Sequence, residues 1–285
     1  MDITLREGRL DDAQACARIN YEAFKAIADE HNFPPDFRTP EDAMEVVSYL
    51  LRNSGFYKVA AEIDGRVVGS NFLDERGPIA GVGPVSVYPA VQNRSIGRRL
   101  MQAVMERAAA RGFPGVRLVQ SAYHRRSLSL YTKLGFDPRE PLSVFQGPAL
   151  NVTMPGYAVR PARESDLETC NRLCIRVHGH HRGGETVEAI RRGSAAIVER
   201  DGRIAGYTSG VAFFAHTVGE TNDDVKALIG AAKSFGGPGF QVPTRNGELM
   251  RWCLSNGLRI VQPTTLMTIG LYNEPAGAYL PSVLY

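Results

Sequence analysis

The sequence predicts an α/β protein, a mixed sheet of the α+β kind flanked by helices, arranged as two tandem units of related fold. Three observations lead there. Short alternating runs interleave with runs of helical period along the whole chain, so strands and helices alternate. The 285 residues exceed the usual single domain of about 100 to 200 residues, so two units are expected. Finally, Arg6, Arg9, Asp12 and Cys16 recur at one constant offset as Arg160, Arg163, Asp166 and Cys170, and Asp64-Gly65-Arg66 with Gly69 recurs as Asp201-Gly202-Arg203 with Gly206. The units are expected at residues 1–153 and 157–285, joined by Met154-Pro155-Gly156.

In the first unit, residues 3–6 alternate as a strand, and Asp11 or Asp12 caps a helix whose buried face is Cys16, Ile19, Ala23, Phe24 and Ile27. After a break at His31-Asn-Phe-Pro34-Pro35, a second helix is expected over 40–52, with Met44, Val47, Leu50 and Leu51 as its apolar stripe. The loop between these helices is placed to bind a substrate. Residues 57–63 and 66–73 read as a hairpin, because Asp-Gly between alternating runs is a strong turn signal. A third strand over 79–87 contains Gly81, Gly83 and Pro84, which predict a bulge or a splayed edge and a slot beside the next loop.

That loop is a turn of small and polar residues, and after it Ile96, Leu100, Met101, Val104, Met105 and Ala108 recur at helical spacing. A helix start exposes unpaired N–H groups and the positive end of the dipole, which favour a phosphate. Gly97 permits close approach, and Arg94, Arg98 and Arg99 add positive charge. A strand over 116–121, a short helix over 124–134 closed by Gly135, and final strands from Phe136 to about residue 152 complete the unit.

The composition, 44% hydrophobic and 22% charged, is that of a globular protein. A net charge of +3 is too small to select a partner, and no basic arm interleaved with aromatics points to nucleic acid. The first twenty residues hold Asp2, Arg6, Glu7, Arg9, Asp11 and Asp12 rather than an apolar signal core, and no membrane-spanning run appears later, so a cytoplasmic location away from membranes is expected. Cysteines at 16, 170, 174 and 253 form neither a disulfide framework nor a zinc pattern, and no metal is expected. His178-Gly-His180-His181 lacks completing ligands and reads as a solvated loop, and Cys253 reads as a core thiol.

The run Val-x-Pro-x-x-Gln-x-x-Ser-Ile-Gly-x-x-Leu, together with Leu130-Tyr131-Thr-Lys-Leu-Gly135-Phe136, resembles the GNAT superfamily of N-acetyltransferases over about residues 1–150. The resemblance implies transfer of the acetyl group of acetyl-CoA to a primary amine, on a small molecule or a peptide, by direct attack in a ternary complex. Implied cofactor contacts run over Val85, Ser86 and Val87, whose strand meets the pantetheine arm. They continue over Gln92, Asn93, Arg94, Ser95, Ile96, Gly97, Arg98 and Arg99, whose loop holds the diphosphate, and end at His124 and Ser127. Ser95 stands where the family's loop usually has a glycine, and His124 where members often carry an asparagine. Tyr131 matches the residue that protonates the departing thiolate.

The residue types suit that chemistry. A thioester carbonyl needs a backbone N–H in a water-poor slot, and a leaving thiolate needs a proton such as a tyrosine hydroxyl gives. The attacking amine must be neutral, and Glu62, Asp74 and Glu75 near the strand edges are the candidate bases. A non-catalytic acyl-CoA-binding or regulatory protein on the same scaffold is the alternative, against which Tyr131 speaks. A P-loop enzyme would require Gly-Lys-Ser/Thr, whereas Gly97 is followed by Arg98-Arg99.

The second unit does not repeat the phosphate loop. Its counterpart, Thr217-Val-Gly-Glu220-Thr-Asn-Asp223-Asp224, puts carboxylates where a diphosphate would sit, and Cys253 stands opposite Tyr131. The second unit is therefore expected to be a degenerate copy that shapes the substrate site or mediates dimerisation. The apolar tail Tyr279-Leu-Pro-Ser-Val-Leu-Tyr285 is expected either to close over the first unit's cleft or to join two copies.

Overall fold

A computed structural model describes residues 2–284. In the first half, β1 (Ile3–Glu7) leads through a short 3-10 turn to α1 (Ala13–Glu30) and α2 (Pro40–Arg52), followed by β2 (Phe56–Ile63) and β3 (Arg66–Asp74). Asp64 and Gly65, with φ of 49° and 72°, make the left-handed turn that the twist of a tight hairpin needs. At α2 the Thr39 side chain accepts from the Asp42 amide at 3.2 Å, and Pro40 occupies the first turn.

The strand expected over 79–87 is broken in two, β4 (Ala80–Val82) and β5 (Ser86–Val87), with Gly83 and Pro84 between them. Gly83 has φ of 128° and Pro84 has no N–H to give a ladder, so the chain leaves the sheet there. β4 pairs with β3 and, in parallel, with β6 (Gly115–Ser121), whereas β5 pairs with β3 alone. Between β4 and β6 in sequence lies α3 (Ile96–Ala110), and after them α4 (Arg125–Lys133) and β7 (Asp137–Gln146). Ile96, Leu100, Met101, Val104 and Ala108 of α3 pack in one core with Leu73, Val82, Leu118 and Phe136.

The second half repeats this order: β8 (Tyr157–Pro161), α5 (Leu167–His178), α6 (Gly183–Arg191), the hairpin β9 (Ala196–Arg200) and β10 (Arg203–Thr208), β11 (Thr217–Gly219), α7 (Asn222–Ala231), β12 (Phe240–Pro243), α8 (Gly247–Ser255) and β13 (Arg259–Gly270). A last strand, β14 (Ala278–Leu280), has no counterpart in the first half. The repeated residues make the same contacts. Arg6 pairs with Asp12 at 2.7 Å and Glu62 at 2.6 Å, and Arg160 pairs with Asp166 at 2.7 Å and Glu199 at 2.9 Å.

Two sheets result. One has the order β1-β2-β3-β4-β6-β13-β7-β12, with β5 beside β3, and the other runs β14-β11-β10-β9-β8. A turn at residues 155–156 precedes β8, and the second half donates β12 and β13 to the first sheet. β13 lies antiparallel to both neighbours, from Thr264 opposite Ser121 to Gly270 opposite Gly115 on one side, and opposite 137–146 on the other. The insertion pairs what would otherwise be an open edge of β6. It also merges the cores: Met267 of β13 is buried with the first half, and Phe145 of β7 with Val225, Ile229 and Phe240 of the second.

Among the described residues, no helix is long and apolar enough to cross a membrane.

Candidate active site

α3 begins without a cap. Asn93 and Ser95 take φ of 65° and 62°, curling the loop, and no side chain bonds the helix start. The N–H groups of the first turn have no partner within a helix, so Ile96, Gly97 and Arg98 present bare donors. The Gln92 side-chain Nε2 donates to the Val87 carbonyl at 3.1 Å and ties the loop to β5. A Cβ at Gly97 would meet only Leu130 and Val87, both at an ordinary 3.8 Å. Internal packing does not demand glycine there; its absence of side chain leaves the helix start open toward the groove.

That groove, about 470 Å³, runs from the loop to Val85, the residue after the break at Gly83-Pro84. Val85, Ser86, Val87, Gln92, Asn93, Ser95, Ile96, Gly97 and Arg98 form one wall, and His124, Arg126, Ser127, Leu130 and Tyr131 the other. Phe24, Ile27 and Glu30 of α1 floor it. The Ser86 hydroxyl is buried without a partner. Two of the expected contacts lie elsewhere: Arg99 turns back to donate to the Ile3 carbonyl at 2.7 Å, and Arg94 is exposed and outside the groove lining. Arg126 is exposed and lines the groove.

A second, smaller cavity of about 120 Å³ meets the first. Phe24, Val85, His124, Ser127 and Tyr131 line both, so these residues mark the junction. Tyr131 is buried with its ring edge-on to Phe136, and burial raises its hydroxyl well above the usual phenol pKa, holding it protonated. His124 is pushed down to about 4 by burial and by Arg126 nearby, so it is neutral at pH 7, and its Nδ1 is buried without a partner. Ser127 donates to Gln120 Oε1 at 3.1 Å and to the His124 carbonyl at 2.9 Å.

The smaller cavity is closed by the second half. Phe213, Phe214, Thr264, Val283 and Leu284 complete its wall, and the Val283 amide donates to the Phe213 carbonyl at 2.8 Å. Tyr279, Leu280 and Leu284 of the tail are all buried within the chain. Of the tail, Val283 and Leu284 thus lie against the smaller cavity.

The carboxylates expected as bases are not at the junction. Glu62 is held by Arg6, Glu75 by Arg107 at 2.7 Å, and Asp74 by Arg76, and none lines either cavity. Glu62 has a close structural twin in Glu199 on Arg160, which marks both as parts of the repeated scaffold. The carboxylate that does line the smaller cavity is Asp36, in the loop between α1 and α2. Gln262 of β13 donates to it at 2.9 Å, and burial pushes its carboxyl up to about 6. A substrate loop is expected there from the residue pattern, but no local signal marks Asp36 as buried, because its cover comes from residues far along the chain.

The histidine-rich turn is solvated only in part, with His181 exposed. His178 and His180 are buried, His178 against the Tyr279 ring and His180 within 3.3 Å of Arg117, and burial with neighbouring cations keeps both neutral. Among the described residues, no cluster of three or more His, Cys, Asp or Glu is arranged to hold a metal ion. The four cysteines are buried free thiols.

In the second half the equivalent places are filled. Thr221 and Asp224 form a capping box at the start of α7, and Asp224 pairs with Arg200 at 3.1 Å. β14 pairs with β11, from Thr217 opposite Leu280 to Gly219 opposite Ala278. The chain's own backbone thus lies along the strand that corresponds to the open edge of the first half.

Residues 21–136 match the acetyltransferase (GNAT) family. Part of the chain is 40% identical over 77 residues to a mycothiol acetyltransferase of Nocardia farcinica, a match covering 26% of this chain and only 25% of that enzyme's length. Across nearly the whole chain the structure resembles a GCN5-related N-acetyltransferase from Sphaerobacter thermophilus, with a TM-score of 0.62, 14% identity, and coverage of 95% of this chain and 96% of that one. It also resembles a tandem GNAT protein from the clavulanic acid biosynthesis pathway, with a TM-score of 0.57, 14% identity, and coverage of 94% and 98%. At these identities the two structures establish the fold and nothing finer.

Proposed function

We propose that the chain transfers the acetyl group of acetyl-CoA to a primary amine by direct attack in a ternary complex, a reading supported by the match of residues 21–136 to the acetyltransferase (GNAT) family. The observation that carries this reading is the junction: a groove with a bare helix start at one end meets a second cavity at the other, and Tyr131 lines both.

The residues present fit the cosubstrate. The N–H groups of the loop at 92–97, with Arg98 beside them, suit a diphosphate. The missing Cβ of Gly97 leaves room for its approach. β5 and the residue before it offer the backbone of Val87 and Val85 to the pantetheine arm. When bound, acetyl-CoA supplies an activated thioester carbonyl. Backbone N–H groups at Val85 stabilise the charge that develops on its oxygen, usually the largest catalytic contribution in such a slot. Burial keeps Tyr131 protonated until the thiolate departs, and a positioned proton donor is typically worth about 10² to 10⁴ in rate.

The second half is, in this reading, a degenerate copy that gives its scaffold to the acceptor site. Its helix start is occupied by Asp224 and its open edge by β14, and Phe213, Phe214, Val283 and Leu284 wall the first half's cavity. A non-catalytic acyl-CoA binder would have no use for a buried phenol where two cavities meet.

Calorimetric titration with CoA, followed by thiol release from acetyl-CoA across a broad panel of amines, tests the reading. Binding with turnover of at least one amine is expected. No CoA binding overturns it, and binding without turnover favours the regulatory alternative.

A further inference from the structure

The acceptor cavity is chemically lopsided. Four phenylalanine rings, Phe24, Phe37, Phe213 and Phe214, line it from both halves of the chain. Asp36 is the one carboxylate among the described residues that line it, and no lysine or arginine is among them. His124 is neutral at pH 7, with its value near 4, so the described residues lining the cavity offer a single negative charge and no positive one. A buried carboxylate is costly unless something pairs with it. Here its described partner is a neutral amide, Gln262.

We propose that the acceptor is a monoamine on an aromatic body carrying no carboxylate, that its rings are met by the phenylalanine walls, and that Asp36 holds its ammonium group and takes the proton that frees the nitrogen. The inference rests on the acetyltransferase reading for the transfer step, and on the cavity alone for the amine site. One anion matches one cation, so a polyamine leaves charges unmatched in an apolar wall. An amino acid would bring its own carboxylate beside Asp36 without a cation to receive it.

The proton balance closes with the residues present. The ammonium gives one proton to the Asp36 carboxylate, and the freed nitrogen pair forms the C–N bond as the C–S bond breaks. The electron pair of that bond leaves on sulfur, which takes the Tyr131 proton. Tyr131 regains a proton from the nitrogen, and Asp36 releases its own to water as the amide departs. Burial brings the Asp36 carboxyl to about 6, closer to an amine than an ordinary carboxylate, which eases the first transfer.

The test titrates 2-phenylethylamine, phenylalanine and spermidine into the full chain saturated with CoA, and measures thiol release with each. 2-Phenylethylamine is expected to bind at least about 10-fold more tightly than the other two and to have the highest kcat/KM. Asp36→Asn keeps an oxygen for Gln262, so it is expected to bind CoA normally while losing about 100-fold or more in affinity for 2-phenylethylamine. Absence of 2-phenylethylamine binding, equal or tighter binding of phenylalanine or spermidine, or unchanged amine affinity in Asp36→Asn overturns the proposal. If amine binding depends on Asp36 but no amine is acetylated, the transferase reading fails while the amine site stands.

Discussion

The two halves share a skeleton and part company at two points. Arg6 with Asp12 and Glu62 is matched, bond for bond, by Arg160 with Asp166 and Glu199. At the central helix, however, α3 starts on an uncapped left-handed Ser95, whereas α7 starts on the Thr221–Asp224 capping box. At the central strand, β5 faces a groove, whereas β11 is paired with β14. The duplicated contacts hold the fold together. In the proposed reading the differing ones decide whether a ligand can enter, since the second half supplies from its own chain both the anion and the extended backbone that a ligand would bring.

The largest expected effect comes from Tyr131→Phe, which removes the hydroxyl at the junction while keeping the ring that packs on Phe136. It should lower kcat by about 10² to 10⁴ and leave CoA affinity unchanged. An unchanged rate would remove Tyr131 from the chemistry. Next, Gly97→Asp makes α3 resemble α7 by placing a carboxylate in its first turn. Because a Cβ there meets only ordinary contacts, the fold should persist by circular dichroism, while CoA affinity falls by about 100-fold or more.

The converse change, Asp224→Ala, should cost about 1 to 2 kcal/mol of stability through loss of the cap, read by urea unfolding, without changing CoA binding. Smaller again are Arg6→Ala and Arg160→Ala, each expected to cost about 1 kcal/mol. Those arginines hold Asp12 and Asp166 below the usual carboxylate range through hydrogen-bonded ion pairs. Groups lowered on folding stabilise above the unfolded carboxylate pKa of about 3.9, and the contribution fades as pH falls through the lowered values. Both variants should therefore lose stability at pH 7 and show a shallower acid limb, to a similar extent if the networks are equivalent. The smallest effect belongs to Glu62→Gln, which keeps an acceptor for Arg6 and should change turnover less than about twofold. A large loss would restore Glu62 as a candidate base.

Local chemistry was legible in the sequence wherever a short stretch sets its own conformation. Asp64-Gly65 announces the hairpin, Gly83-Pro84 the break in the strand, and the turn before Ile96 an open helix start. The resemblance, rather than those features alone, is what implies contacts from Val85 to Arg98. The illegible part depends on pairing across the chain. Nothing in residues 259–270 says that β13 enters between β6 and β7, because alternation fixes which side chains share a face and not which strand lies alongside. The same gap hid Asp36, whose burial is completed by Gln262, and left Glu62 and Glu75 free on paper although Arg6 and Arg107 hold them. His178 and His180 were misplaced for the same reason, since Tyr279 and Arg117 cover them from elsewhere.

The central claim is that one half binds the cosubstrate and the other has filled its own site. The stoichiometry of CoA binding to the full chain, measured by calorimetry, tests it most directly. One CoA per chain, abolished or greatly weakened in Gly97→Asp and retained in Asp224→Ala, is the result predicted. Two per chain, or binding that survives Gly97→Asp and disappears in Asp224→Ala, would contradict it.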